Sequence, residues 1–320
     1  MELKNLIIQG GSIKGIATTG ALQYMHEIGI LDKIENYAGT SIGGVLCFLL
    51  VIGYTPKDIK DIVFSKDFNV ILNDAHPWLY PYNLMRKYGV NTGYKFIKLL
   101  EELLINKKHD KNITFKELYA KTNKTLVVTG TNITKKKTVF FNWHTYPNMK
   151  VLEALRITIS IPFFFTVITF ENDIYVDGGI LMNYPLYYFE VKNSNKEVVL
   201  CKDSSEFNDR AKSISILATT KYTGRTVGIR TLDALNEEET DEISYGSETI
   251  TNISSYIKAT ISTILTELER RNIKEYYWER SITINLPYNL KITDFNPKKE
   301  IKDDMGRRGY EEAKDFFINK

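Results

Sequence analysis

Two short apolar runs near the start of the chain, each closed by glycines and each followed at once by a helical apolar pattern, restrict the fold more than any other feature. Residues 3–9 form the first run, ending in Gly10-Gly11, after which Ile16, Ala17, Ala21, Leu22, Met25 and Ile28 recur at helical spacing. Residues 34–38 form the second, ending in Gly39-Thr40-Ser41-Ile42-Gly43-Gly44 before the apolar helix at 45–52. Two strand–turn–helix units in succession predict an α/β fold with a mostly parallel sheet covered by helices.

Further along, 56–64 reads as a helix and 66–92 as an irregular segment rich in Asp, Asn, Pro and aromatics, a candidate lid or insertion. Helices are expected at 94–105 and 115–120, and strands at 126–131 and 138–142. Residues 151–158 read as a helix, and 162–170 and 173–176 as two strands joined at Glu171-Asn172. Strands at 198–201 and 214–218, a long helix at 248–278 and a terminal helix of about 15 residues complete the pattern. No repeat and no clean linker interrupts it. Residues 1–320 therefore read as one domain, with a motif-bearing core at 5–190 and a helical and strand extension at 191–320.

Composition removes several classes of function. Forty-two basic against 39 acidic residues leave a net charge of +3, too small for a dedicated nucleic-acid surface. Cys47 and Cys201 lie in apolar runs and read as buried thiols of a reducing compartment, which excludes a disulfide framework. The first residues show no secretory signal, and the longest apolar stretch, 45–52, is far short of the roughly 20 residues needed to span a bilayer. A cytoplasmic address with peripheral contact at membranes is the expectation.

The chemistry concentrates at the two glycine turns. Gly39-Thr40-Ser41-Ile42-Gly43 matches G-x-S-x-G between a strand and a helix, where a nucleophilic serine is lifted above the sheet on a strained turn. A capping serine in a glycine-rich turn is the simpler alternative. Serine needs a base. Asp177 follows the alternating strand Ile174-Tyr175-Val176 and precedes Gly178-Gly179, which allow close approach of another segment, although Asp-Gly is also a common turn. A free aspartate, with a pKa of about 3.9, is a weak base, so a dry apolar site must raise it. A Ser-acid-His order would instead require His144, because none of His26, His76, His109 and His144 follows Asp177.

Gly10-Gly11-Ser12-Ile13-Lys14-Gly15 fails as a phosphate loop, since Ile16-Ala17 follow Gly15, and as a dinucleotide fingerprint, since Ser12 stands where glycine is required. What remains is a turn whose Gly11 and Ser12 amides can hold an oxyanion, each donor contributing roughly 3 kcal/mol. Lys14 adds a positive charge beside them.

With these residues in order, the chain resembles the patatin-like phospholipases over residues 5–186. The family's Gly-Gly-Gly-x-Lys/Arg-Gly loop looks like Gly10 to Gly15, and its elbow like Gly39 to Gly43. Its Ser-x-x-x-Pro region looks like 154–162, with Ser160 and Pro162, and its Asp-Gly-Gly and Asn-x-Pro motifs like Asp177-Gly178-Gly179 and Asn183-Tyr184-Pro185. The resemblance implies a three-layer α/β/α fold and a Ser41–Asp177 dyad without histidine. It also implies hydrolysis of acyl esters in phospholipids or galactolipids, with neither metal nor cofactor. Ser12 departs from the third glycine of the loop. A non-catalytic lipid- or partner-binding module on the same scaffold is the alternative function.

Three apolar features remain. Trp78, Leu79, Tyr80, Tyr82 and Met85, next to Arg86 and Lys87, suggest a flap that meets a lipid interface, with ordinary loop packing as the alternative. Phe163-Phe164-Phe165 suits either an acyl channel or a buried strand. The spacing of Ile253, Ile257, Ile261 and Leu265 points to core packing.

Overall fold

The computed structural model describes residues 3–190, 200–206, 226–233, 279–287 and 295–319, with a few single positions between 250 and 263. Strand β1 (Asn5–Ile8) passes through a short 3-10 turn (Ser12–Lys14) into helix α1 (Gly15–Glu27), and β2 (Asn36–Gly39) passes into α2 (Ile42–Val51). The two strands pair in parallel, from Asn5↔Asn36 to Ile8↔Gly39. Leu6, Ile7 and Ile8 are all fully buried, as expected where both faces of a parallel strand are covered.

Helix α3 (Pro56–Ser65) starts from a capping box between Thr55 and Asp58. The stretch at 66–92 is not irregular. It folds as α4 (Phe68–Leu72), a 3-10 turn (Pro77–Leu79), α5 (Tyr80–Lys87) and β3 (Gly89–Asn91). Pro81 fits the first turn of α5, where an amide has no helical acceptor to lose. The helix escapes pattern reading because its apolar residues face outward, so no inward stripe marks it.

The chain continues through α6 (Tyr94–Asn106), α7 (Phe115–Thr122), β4 (Thr125–Asn132), β5 (Lys137–Phe141), α8 (Val151–Thr158), β6 (Phe163–Phe165), β7 (Ile168–Phe170) and β8 (Asp173–Asp177). Beyond the 3-10 turn Tyr188–Glu190, the described elements are β9 (Thr226–Asp233), β10 (Ser281–Leu286) and α9 (Lys299–Ile318). The central sheet runs β10-β9-β1-β2-β4-β8-β7, with β5 also beside β4. Its first five strands are parallel, and β5, β8 and β7 are antiparallel to their neighbours. Buried Asn5 pins the register: it donates to Thr226 Oγ1 at 3.1 Å and accepts from Asn36 Nδ2 at 2.9 Å, joining the first residues of β9, β1 and β2.

The faces of this sheet are filled by alternate residues. Leu6, Ile8, Leu126, Val128 and Phe141 pack with the helices on one side. Ile7, Ala38, Val127 and Phe140 pack with Leu186, Tyr188, Phe189 and Cys201 on the other.

Several expectations change. Residues 162–170 split into β6, which pairs with β3 in a separate two-stranded sheet, and β7, which forms a hairpin with β8. Leu200 and Cys201 are not strand, and 214–218 and most of 248–278 lie outside the described residues. Strands β9 and β10 lie where the sequence pattern predicts no strand. β9 carries Gly228 under the Tyr184 ring and a buried Arg230, which donates to Thr283 Oγ1 at 2.9 Å, so it lacks the unbroken apolar run of a central strand.

Helix α9 crosses α1 backbone to backbone. A Cβ at Gly309 would stand 1.8 Å from Ala17 O, and one at Gly20 1.8 Å from Gly306 O. Gly309→Val is expected to lower stability by about 3 kcal/mol, read from urea unfolding, because neither helix backbone can yield.

Candidate active site

Ser41 stands between β2 and α2 with φ 51° and ψ −128°. The spacing of its flanking glycines is a packing requirement. A Cβ on Gly39 would lie 2.4 Å from the Gly43 carbonyl carbon, and one on Gly43 2.4 Å from Ile8 O. The first turn of α2 therefore sits directly on the ends of β1 and β2 and forces the serine into the left-handed region. Its amide donates to Thr158 Oγ1 at 2.8 Å, and its hydroxyl donates to Asp177 Oδ2 at 2.7 Å.

Asp177 reaches the serine through register. Gly39 pairs with Val128, and Gly130, two residues on, pairs with Asp177 across the antiparallel β4–β8 ladder, so the carboxylate arrives level with Ser41. Its Oδ1 accepts from Gly179 N at 2.7 Å, and its own amide donates to Ser160 O at 2.8 Å. Gly178 is necessary here, since a Cβ would meet Thr129 Oγ1 at 2.1 Å. Burial pushes the Asp177 pKa up to about 7, against the opposing hydrogen bonds from Gly179 and Ser41. The aspartate is thus a far stronger base than a solvated one. His144 lies exposed on the turn after β5, its amide donating to Asn142 Oδ1, and is not bonded to Ser41 or Asp177.

The glycine loop lies against the serine. Gly10 N donates to Asn183 O and Asn183 Nδ2 donates back to Gly10 O, both at 3.1 Å. A Cβ on Gly10 would lie 2.3 Å from Asn183 Oδ1 and 3.3 Å from Ser41 Cβ. Gly11 is extended, at φ 176°, whereas Ser12 has φ 49°. The departure from the family glycine thus falls at the one left-handed position of the loop, where a side chain costs about 1 kcal/mol or more. Gly15 packs on Ile42, and the Lys14 side chain folds back over Gly11. Among the described residues no three His, Cys, Asp or Glu side chains gather to hold a metal ion.

Sequence reasoning missed the support behind the pair. Thr158 and Ser160, both fully buried at the end of α8, receive the amides of Ser41 and Asp177. Arg156 braces them. Its Nη1 donates to Ser160 Oγ, its Nε to Thr92 O at 2.9 Å, and its Nη2 to Thr166 O and Oγ1 at 2.9 and 3.1 Å, with the guanidinium over the Phe165 ring. Among the described residues no carboxylate lies within ion-pair distance of it, and burial lowers its pKa to about 10 against the opposing charge of Asp74. The only sequence sign was a charged residue inside an apolar helix.

An apolar cavity is lined by Ser12 and Ser41 and is otherwise walled almost wholly by carbon. Phe68, Leu72, Phe96, Phe165 and Phe295 are among its lining residues. Of the three consecutive phenylalanines only Phe165 reaches it; Phe164 packs on Phe295 and Phe163 is exposed.

The family model of the patatin-like phospholipases matches residues 6–189. The chain is similar to a probable lipid hydrolase of Invertebrate iridescent virus 6, 36% identical over 197 residues that cover 60% of this chain and 67% of that protein. An uncharacterized protein of Acanthamoeba polyphaga mimivirus is 27% identical over 318 residues, 99% of this chain and 94% of that one. Among solved structures, VipD from Legionella pneumophila superposes with a TM-score of 0.57 at 17% identity, covering 100% of this chain and 67% of that chain, a likeness of fold.

Two outcomes follow from the site's electrostatics. A carboxyl whose folded pKa is raised supports the fold fully below its unfolded value of about 3.9, and that support is lost as pH rises through about 7. Asp177→Asn should therefore leave stability near pH 4 unchanged and increase it near pH 8 by roughly 2–4 kcal/mol, read from urea unfolding at both pH values. Arg156→Lys keeps the charge but not the fork, and is expected to cost about 2 kcal/mol in the same assay by leaving acceptors unmatched.

Proposed function

The chain belongs to the patatin-like phospholipase family, and from that membership we propose that it is a lipid acyl hydrolase working through a Ser41–Asp177 dyad. Ser41 Oγ attacks the ester carbonyl while Asp177 takes its proton, and the carbonyl electron pair moves onto oxygen. The Gly11 and Ser12 amides hold that oxyanion, and the positive end of α2 faces the same charge. Collapse breaks the ester C–O bond, Asp177 returns its proton to the leaving alcohol, and water then releases the fatty acid by the same two steps in reverse roles.

The observation that carries this reading is the 2.7 Å hydrogen bond from a serine in a strained elbow to a carboxylate held near neutral pKa. The carbon-walled cavity beginning at Ser41 supports an acyl chain as the substrate part bound beside it. The likeness to a probable lipid hydrolase points the same way. Cys47 and Cys201, both buried and neither joined in a disulfide, support a reducing compartment as its address. Among the described residues no helix is long and apolar enough to cross a membrane.

With a short-chain p-nitrophenyl ester, Ser41→Ala and Asp177→Asn are each expected to lower kcat/KM by about 10³ or more, and Ser41→Ala to abolish labelling by a fluorophosphonate. Wild-type kcat/KM should rise about tenfold per pH unit below about 7 and level off above it, as Asp177 ionises. Activity retained by either variant, or a flat profile through pH 7, would sink the mechanism. Failure of the probe to label the wild type would favour a binding module.

A further inference from the structure

The solvent-facing side of the segment from Pro77 to Tyr88 is built the wrong way round for water. In a surface helix polar residues face out and apolar residues face the core. In α5 the buried residue is Asn83, 3% exposed, its Nδ2 donating to Val90 O at 3.0 Å. Tyr82 and Met85, three positions apart and so on one face of α5, and Trp78 in the 3-10 turn that leads into it are all exposed, Trp78 and Met85 at 73% and 79%. Tyr88 continues the patch beyond the helix, and the register Gly89↔Phe163 sets exposed Phe163 beside it. An outward aromatic face of this extent needs an occupant.

Charge identifies that occupant. Between residues 75 and 100 the chain holds Arg86, Lys87, Lys95 and Lys98 and no Asp or Glu, although acidic residues number 39 overall. Arg86 and Lys87 are exposed at the end of the aromatic face. Aromatic rings with adjacent cations suit the headgroup level of a bilayer carrying anionic lipid. The cavity lies close by in the chain: β6 carries exposed Phe163 and cavity-lining Phe165, and α4, which precedes the face, supplies Phe68 and Leu72 to the wall. We propose that this face seats the protein on an anionic lipid bilayer, so that acyl chains enter the cavity from the membrane; the part played by the cavity rests on the acyl-hydrolase reading above.

The test separates docking from chemistry. Full-length Ser41→Ala protein is sedimented with vesicles of phosphatidylcholine alone and of phosphatidylcholine mixed equally with phosphatidylserine. It is expected to partition onto the mixed vesicles more strongly. The triple change Trp78→Ser, Tyr82→Ser, Met85→Ser should weaken binding to both by about tenfold or more, and Arg86→Glu with Lys87→Glu should weaken binding to the mixed vesicles alone by about tenfold or more. In the Ser41-bearing protein both sets should retain hydrolysis of the soluble ester, since none of these side chains lines the cavity. Vesicle binding unchanged in both sets would overturn the proposal. So would a solution dimer that the triple change splits without altering vesicle binding, which would make the face a contact between copies. The charge-reversed pair alters only exposed side chains and decides the matter should the triple variant fail to fold. Absence of soluble-ester hydrolysis in the wild type would count against the acyl-hydrolase reading, leaving sedimentation to decide the docking.

Discussion

The first turn of α2 rests on the ends of β1 and β2 with no room for a side chain at either flank, and most of the site's geometry follows from that contact. Gly43 lies over the Ile8 carbonyl and Gly39 over Gly43 itself, so the intervening residue has only the left-handed region open to it. Strain of about 1–3 kcal/mol at Ser41 persists because the surrounding structure over-determines it. Leu46, Cys47 and Phe48 bury the helix against the sheet, and the displaced Ser41 amide finds Thr158 Oγ1. Moving α2 outward would relieve the strain, at the cost of the buried contacts of a ten-residue apolar helix.

Two buried ionisable groups stand close behind this elbow, and the protein treats them differently. Arg156 keeps its charge by filling its guanidinium fork with Thr92, Ser160 and Thr166 and by covering it with Phe165. Asp177 has only Gly179 and Ser41, too few donors to offset burial, so its pKa rises toward neutrality. The contrast has a functional sense. A brace must hold its charge, whereas a base must be able to accept a proton and give it back. Through Thr92 the same arginine ties the segment leading into α6 to the end of α8, joining the outer surface to the site.

The loop at Gly10 to Gly15 tolerates its serine for a comparable reason. Asn183 clamps Gly10 from both sides, fixing the backbone before Ser12 is reached. The left-handed residue is then carried by neighbours that are already placed, and Ser12 lines the cavity without entering the tight contact at Gly10.

Features encoded within a few neighbouring positions were legible in the sequence. Glycine pairs after apolar runs marked both strand–helix turns, G-x-S-x-G marked the strained serine, and alternation before Asp177-Gly178-Gly179 marked the strand that carries the acid. Each signal depends on residues within a few positions of one another. Tertiary structure alone decided what depends on distant partners. The pairing of Asp177 with Ser41 spans 136 positions and rests on an antiparallel register no short window contains. Strand β9 was hidden because its Gly228 and Arg230 make sense only beneath Tyr184 and beside Thr283. α5 was hidden because its apolar face looks away from the core. Periodicity reports which residues share a face, but whether that face meets protein, water or lipid is set by what the rest of the chain leaves uncovered.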